Sequence, residues 1–93
     1  STIDIPIVIL GVDRRIRRIT AAAEEQLGLI AADVGRPIGN LCTGIGPSDI
    51  EGMITEAIVG GREVTRDVQS ESGRWYSLRV RPLHTGGKIE GVL

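Results

Sequence analysis

The sequence predicts an α+β domain, a five-stranded antiparallel sheet covered on one face by short helices and one longer helix. Three observations carry this reading. The chain opens on an apolar, β-branched run, "IPIVILGV"; apolar residues recur at helical spacing between Ile50 and Ile58; and from Glu63 onward the period of the pattern changes to two. Ninety-three residues make one domain, taken as 1–93, with room for a single core. With one Trp, one Tyr and no Phe, that core is built from Ile, Val, Leu and Ala.

Each element has its own justification. Ile5 to Val12 reads as a buried strand, with Pro6 near its start, where a missing N–H is tolerated. Asp13-Arg14 turns the chain into "RIRRIT", a second strand in which Ile16 and Ile19 interrupt the arginines. Thr20 is the expected N-cap of the helix "AAAEEQL", and Glu24 and Glu25 lie near that helix's positive end. Gly28 ends it in the left-handed conformation, with Leu29 folding back. Ile30 to Leu41, interrupted by Gly35, Pro37 and Gly39, suits one or two single-turn helices, and "CTGIGPSD" is loop. Ser48 with Glu51 forms an expected capping box, followed by the stripe Ile50, Ile54, Ala57 and Ile58, and Gly60-Gly61 ends this main helix.

The last third alternates. Val64, Arg66 and Val68 share one strand face, and in "RWYSLRVRPL" the residues Tyr76, Leu78 and Val80 oppose Trp75, Ser77, Arg79 and Arg81. Ser72-Gly73 joins these two strands, and Thr85-Gly86-Gly87 leads into "KIEGVL". That run, closing on Leu93, reads as a strand cut short, so a longer multidomain parent protein is expected. A lone hairpin is marginal in water, so the first two strands are expected to join the last three in one sheet. Helices then cover one face, a cavity can lie between helices and sheet, and the other face is open to a partner.

Charge and cysteine content exclude several functions. A formal net charge of -1 and a pI near 5.8 provide no field for a polyanion, which argues against nucleic acid. No apolar run approaches the roughly 20 residues that span a bilayer, and the N-terminus lacks the features of a signal peptide, so no membrane role and a cytoplasmic location are expected. Cys42 is alone, so neither an internal disulfide nor a Cys-x-x-Cys metal or redox site forms.

The stretch "LGLIAADVGRPI" invites a phosphate-loop reading, but no Lys-Ser/Thr follows its glycines, and in "TGIGPSD" Asp49 stands where a third glycine would be. Both nucleotide readings are rejected. Glu24 and Glu25 are neighbours on a helix and do not face each other as an acid/base pair. Arg14, Arg15, Arg17 and Arg18 lack interleaved aromatics and read as a solvated strand surface or a partner contact. Trp75, Arg79 and Arg81 share one strand face and have the composition enriched at protein interfaces.

Taken in order, the motifs carry a resemblance. "ITAAAEEQLGLIAADVGRPIGNL", with Leu27-Gly28 and Gly35-Arg36-Pro37, and "SGRWYSLRVRPL", with Gly73 and Pro82, resemble the PAS sensory domains over nearly the whole chain. "IPIVILGVDRRIRRIT" together with "EVTRDVQSESGRWYSLRVRPL" is similar to the PAS domain of bacterial chemotaxis proteins that fuse methylesterase-like and methyltransferase-like modules. That resemblance implies a regulatory domain in a chain that methylates receptor glutamates with S-adenosylmethionine, sometimes linked to a histidine kinase. The sequence departs from the family twice: Asp13-Arg14-Arg15 stands where a glycine is frequent, and Thr20 where an Asn is common.

The resemblance also frames the cofactor question. The flavin-binding branch places its reactive Cys directly after Gly-Arg-Asn, whereas here Gly35-Arg36 is followed by Pro37-Ile38 and Cys42 lies four positions too late. A haem needs an axial ligand, and the only His, His84, falls at a strand end beside a turn, where it reads as solvated. No cofactor is expected. The expected function is a sensory or regulatory module without catalysis, which binds a small ligand or forms a homodimer through the open sheet face and signals to other domains of its parent. A ligand would be walled by Ile9, Ile16, Leu27, Ile54, Ile58, Tyr76 and Leu78. The alternative is a pure dimerisation module in which those residues fill a closed core.

Overall fold

The computed structural model describes residues 4–40, 46–85 and 88–92. Five strands form one antiparallel sheet: β1 (Val8–Leu10), β2 (Ile16–Ile19), β3 (Val64–Gln69), β4 (Trp75–Thr85) and β5 (Lys88–Val92). Their spatial order is β2-β1-β5-β4-β3, so the last strand lies between the first and the fourth. Helices α1 (Ala21–Leu27) and α2 (Pro47–Gly60) and two 3-10 turns, Ala31–Asp33 and Ile38–Asn40, fill the sequence between β2 and β3.

Alternation along the strands sets which side chains meet the helices. Val8, Leu10, Ile16, Val68 and Val80 are buried beneath α2, which contributes Ile50, Met53, Ile54 and Ala57 at helical spacing. Met53 and Ala57 have no exposed surface, and Leu10, Ile16, Ile54, Val8 and Val80 have 1% each, so the space between α2 and the sheet centre is closed. Arg66, on the helix-facing side of β3, reaches past this core to pair with Glu56 of α2. α2 starts at Pro47 with Gly46 as its cap and ends at Gly61, whose φ of 63° is left-handed. The expected capping box is thereby corrected: Ser48 lies inside the first helical turn, because Pro47 suits that turn's unpaired N–H positions.

β1 is shorter than the run that predicted it, and Thr20 is the reason. The Thr20 hydroxyl caps α1 by accepting from the Ala23 N–H at 3.3 Å, accepts from the Ile7 N–H at 2.9 Å, and donates to the Ile5 carbonyl at 3.0 Å. The Thr20 N–H also donates to the Ile7 carbonyl at 3.0 Å. Backbone groups of Ile5 and Ile7 are therefore satisfied by one residue instead of a strand ladder. At the other end Val12 is exposed in the turn to β2.

That turn holds the one non-glycine residue with positive φ among those described, Arg14 at 64°. The Arg14 N–H donates to the Gly11 carbonyl and the Gly11 N–H to the Arg15 carbonyl, both at 2.9 Å, a turn whose last position favours glycine. The Arg14 side chain reaches α2, donating to the Thr55 hydroxyl at 2.8 Å and the Glu51 carbonyl at 3.4 Å. Arg15 donates to the Gly35 carbonyl at 2.9 Å. The reading of these two as solvated strand surface is corrected, since both tie the first hairpin to other elements.

"LGLIAADVGRPI" is a joint that also protects a sheet edge. Gly28 (φ 68°) ends α1, and Gly35 (φ 93°) turns the chain so that it runs beside β2, where the Gly35 N–H donates to the Ile16 carbonyl at 2.7 Å and the Ile16 N–H to the Arg36 carbonyl at 3.0 Å. Asp33 holds the joint, accepting from the Ile30 N–H at 2.9 Å and from Arg36 at 2.8 Å. The Ile30 bond and then the Arg36 guanidinium hold the Asp33 carboxyl below its ordinary value of 3.8, against the opposing effect of burial.

Two predictions follow from these contacts. Thr20→Ala loses the cap and leaves an Ile7 N–H short of its partner, so it should lower stability by about 2 kcal/mol, with Thr20→Ser recovering most of it, as read from urea unfolding midpoints. Because folding favours the ionised Asp33, its contribution is present above its unfolded value of 3.8 and is lost as pH falls through the lower folded value. Asp33→Asn should therefore be less stable than the parent at pH 7, and the gap should narrow as pH falls below 3.8.

Candidate functional site

A cavity of about 570 Å³ opens at the edge of the closed core, and the outer face of the sheet continues from its rim. The segment Ile5–Val8 forms one side of the cavity and β4, from Tyr76 to Leu83, the other; Leu27, Leu29, Ile38 and Ile50 form its floor. Leu29 is there because Gly28 reverses the chain after α1, and Ile38 because the stretch beside β2 brings the second 3-10 turn under the sheet. Tyr76 stands at one end, with the Arg74 guanidinium 5.4 Å from its ring centroid.

β4 contributes from both of its faces. Tyr76 and Leu78 belong to its helix-facing set, whereas Ser77, Arg79, Arg81 and Leu83 alternate with them, yet all six border the same space. Two guanidiniums therefore flank a mainly aliphatic space. Arg79 and Arg81 both face the Glu63 carboxylate, with Nε–Oε1 distances of 3.7 and 3.4 Å.

The residues expected to wall a ligand do not come together. Leu27, Tyr76 and Leu78 line the cavity; Ile16 and Ile54 are fully buried in the core; Ile58 packs against it half-buried. Ile9 is placed on the opposite side of the sheet from these: it pairs with the exposed Arg18, while its neighbours Val8 and Leu10 are the buried ones. Of the seven expected residues the cavity lining therefore includes Leu27, Tyr76 and Leu78 and not Ile9, Ile16, Ile54 or Ile58: the strand alternates so that Val8 holds the helix-facing position, and the three other isoleucines are taken up by the core. Sequence reasoning missed the lining from Ile5 to Val8, since a run read as one buried strand hides a segment that leaves the ladder at Ile7.

Trp75, Arg79 and Arg81 do share the outer face, as their alternation requires, and all three are exposed. Trp75 is 66% exposed at the far end of β4 beside Gln69, about 13 Å along the strand from Arg79. Cys42 lies outside the described residues. His84 falls within β4 in register with Ile89. Glu24 and Glu25 are both exposed on α1. Among the described residues no three of His, Cys, Asp and Glu gather as a metal-ligand set, and no helix is long and apolar enough to cross a membrane.

Comparison with known proteins agrees with this geometry. A family model described as PAS domain matches residues 1–93. Among solved structures, the chain is similar to a sensory box sensor histidine kinase from Vibrio cholerae, with a TM-score of 0.78, 14% identity, and coverage of 94% of this chain and 76% of that one. It is also similar to the PAS domain of the histidine kinase ThkA, with a TM-score of 0.75, 22% identity and coverage of 95% and 94%. A fungal LOV domain photoreceptor matches with a TM-score of 0.66, 18% identity and coverage of 96% and 72%. At these identities the likeness is one of fold. No curated protein matches the sequence.

The contrast between closed core and open cavity is testable by truncation. Ile54→Ala removes a side chain with no room to relax and should destabilise by about 3 kcal/mol. Leu27→Ala, at a half-buried site already beside open space, should cost about 1 kcal/mol in the same urea titration.

Proposed function

Since the chain belongs to the PAS domain family, whose members are sensory modules without catalysis, we propose that it relays a signal through the outer face of its sheet, as a homodimer. The observation that carries this reading is the 66% exposure of Trp75 on the face that also presents Arg79 and Arg81. A Trp left that open on a rigid strand is a ready anchor, because its large flat surface is removed from water on pairing with little loss of side-chain freedom. The guanidiniums, both beside Glu63, add a polar rim and the means to set register with a partner's carboxylates.

Relay then needs two states. A change at the cavity moves β4, which borders it with both faces, and Trp75, Arg79 and Arg81 all stand on β4. A perturbation favouring one β4 geometry thereby biases the interface, and dimerisation biases the cavity by the same free energy. The proposed setting is a bacterial chemotaxis fusion chain with receptor-glutamate methyltransferase activity, supported by the likeness of the first hairpin and of "EVTRDVQSESGRWYSLRVRPL" to the PAS domain of such chains. The histidine kinases among the similar structures fit the same sensory role in a two-component chain. A second reading, a small apolar ligand in the cavity, is favoured by the cavity's volume, which falls in the range of small-molecule sites.

The test is the oligomeric state. Sedimentation equilibrium of the parent chain should show a dimer, and Trp75→Ala should weaken it about 30-fold, the equivalent of a 2 kcal/mol anchor, with an unchanged urea midpoint. A parent chain that is monomeric throughout, or a dimer indifferent to Trp75, rules the interface out.

A further inference from the structure

We propose that Arg14 is a strained latch, a two-position residue whose closed position is held by α2 and keeps the β2 edge covered. This goes beyond the relay reading and depends neither on the cavity nor on the dimer. The observation behind it is one residue at odds with the rest of the chain. Among the described residues Gly28, Gly35, Gly61 and Gly73 take positive φ, and at the fifth such position, φ 64°, stands an arginine. Glycine adopts that conformation without a Cβ penalty, whereas arginine stays in it only where contacts beyond its own backbone hold it there.

The contacts of Arg14 divide into what holds it and what it holds. Its guanidinium crosses to the middle of α2 and donates to the Thr55 hydroxyl at 2.8 Å and the Glu51 carbonyl at 3.4 Å. Its N–H closes the hairpin turn on the Gly11 carbonyl at 2.9 Å. Its carbonyl accepts from the Ile38 N–H at 3.0 Å and so fixes the far end of the stretch that runs beside β2. That stretch covers the edge of β2: the Ile16 N–H donates to the Arg36 carbonyl, and the Ile16 carbonyl accepts from the Gly35 N–H.

These contacts pull in opposite directions. A left-handed arginine lowers its free energy by returning to an ordinary backbone conformation, and the hydrogen bonds from its charged donor oppose that return. The φ values between the two regions are sterically forbidden, so the residue has two positions and no continuum between them. Turning the backbone at residue 14 swings its carbonyl away from the Ile38 N–H and withdraws the guanidinium from α2 in one step. In the open position the stretch beside β2 has lost its end bond, and the Ile16 groups are uncovered. A displacement of α2 is thereby felt at the β2 edge, the side of the sheet opposite to β3.

The test is a mutant cycle read by amide exchange in the full chain. Thr55→Val keeps the shape and helix propensity of this exposed α2 residue and removes the acceptor. It should speed exchange of the Ile16 and Ile38 amides about fivefold or more, while the Val68 amide, in the β3–β4 ladder, exchanges as in the parent. Arg14→Ala keeps the strain without the guanidinium and should speed the same two amides at least as much. Arg14→Gly needs no hold and should leave them slow, and Arg14→Gly combined with Thr55→Val should be as slow as Arg14→Gly alone. This rescue separates a latch from a plain tether, since glycine breaks a tether as surely as alanine does. Unchanged exchange at Ile38 in Thr55→Val overturns the latch. So does Arg14→Gly exchanging as fast as Arg14→Ala, or a Thr55→Val effect that Arg14→Gly does not correct. Should Arg14→Ala fail to fold, Thr55→Val with and without Arg14→Gly decides the matter alone. The oligomeric state of the Trp75 variant is read separately, so either proposal can fail without the other.

Discussion

The fold hangs on a seam between its first and last strands. β1 meets β5 through Ile9–Val92 and Leu10–Gly91, and that junction joins the N-terminal hairpin to the C-terminal three strands. Without it the chain would hold a two-stranded and a three-stranded ribbon, the first of which is marginal by itself. The seam also closes a loop of about eighty residues, and the entropy lost in closing it must be offset elsewhere. α2 does this. Ile50, Met53, Ile54 and Ala57 lie against buried residues from both halves, Val8, Leu10 and Ile16 on one side and Val68 and Val80 on the other. Burial of one continuous aliphatic cluster, worth roughly 1.5–3 kcal/mol per large side chain, stabilises a seam that its backbone bonds alone would not hold.

The same arrangement explains why the open space is where it is. Packing is tight where α2 crosses the sheet and loose where β1 has left the ladder, because there Thr20 takes over the backbone groups of Ile5 and Ile7. One hydroxyl serves as helix cap and as strand partner at once. The hairpin at the other end of β1 is fixed by a comparable substitution: Arg14 adopts a left-handed conformation costing about 1 kcal/mol and in turn reaches Thr55 and Glu51 of α2. In both places a side chain tethers the N-terminal hairpin to a helix, and between the two tethers β1 needs only three residues of strand.

Much of this was legible in the sequence wherever local chemistry decides. Thr20 as a cap, Gly28 as a left-handed end, the paired short turns around Gly35 and the alternation of β4 all depend on neighbours within a few residues. The misreadings have a common cause. Val8, Ile9 and Leu10 are all aliphatic, so the run does not encode which parity faces inward; only the pairing of Ile9 with Arg18 and of Leu10 with Ile16 does. Met53 also belongs to the helical stripe of Ile50, Ile54 and Ala57, and its spacing from Ile50 and Ala57 accounts for its complete burial. The contact of Arg14 with Thr55 spans 41 positions, and nothing local announces it. The cavity was hidden for the same reason, since it is made by two segments far apart in the chain.

The cavity adjoins the seam, and this bears on how such a module could respond. Ile5–Val8, which borders the cavity on one side, runs into β1, and β4 borders it on the other while pairing with both β3 and β5. A change in what fills the cavity therefore acts on the two strands that flank β5 without touching the closed core, and along β4 it reaches Trp75. A filled core and an open rim are complementary: the first fixes the fold, and the second leaves one place in which a few kcal/mol can select between two arrangements.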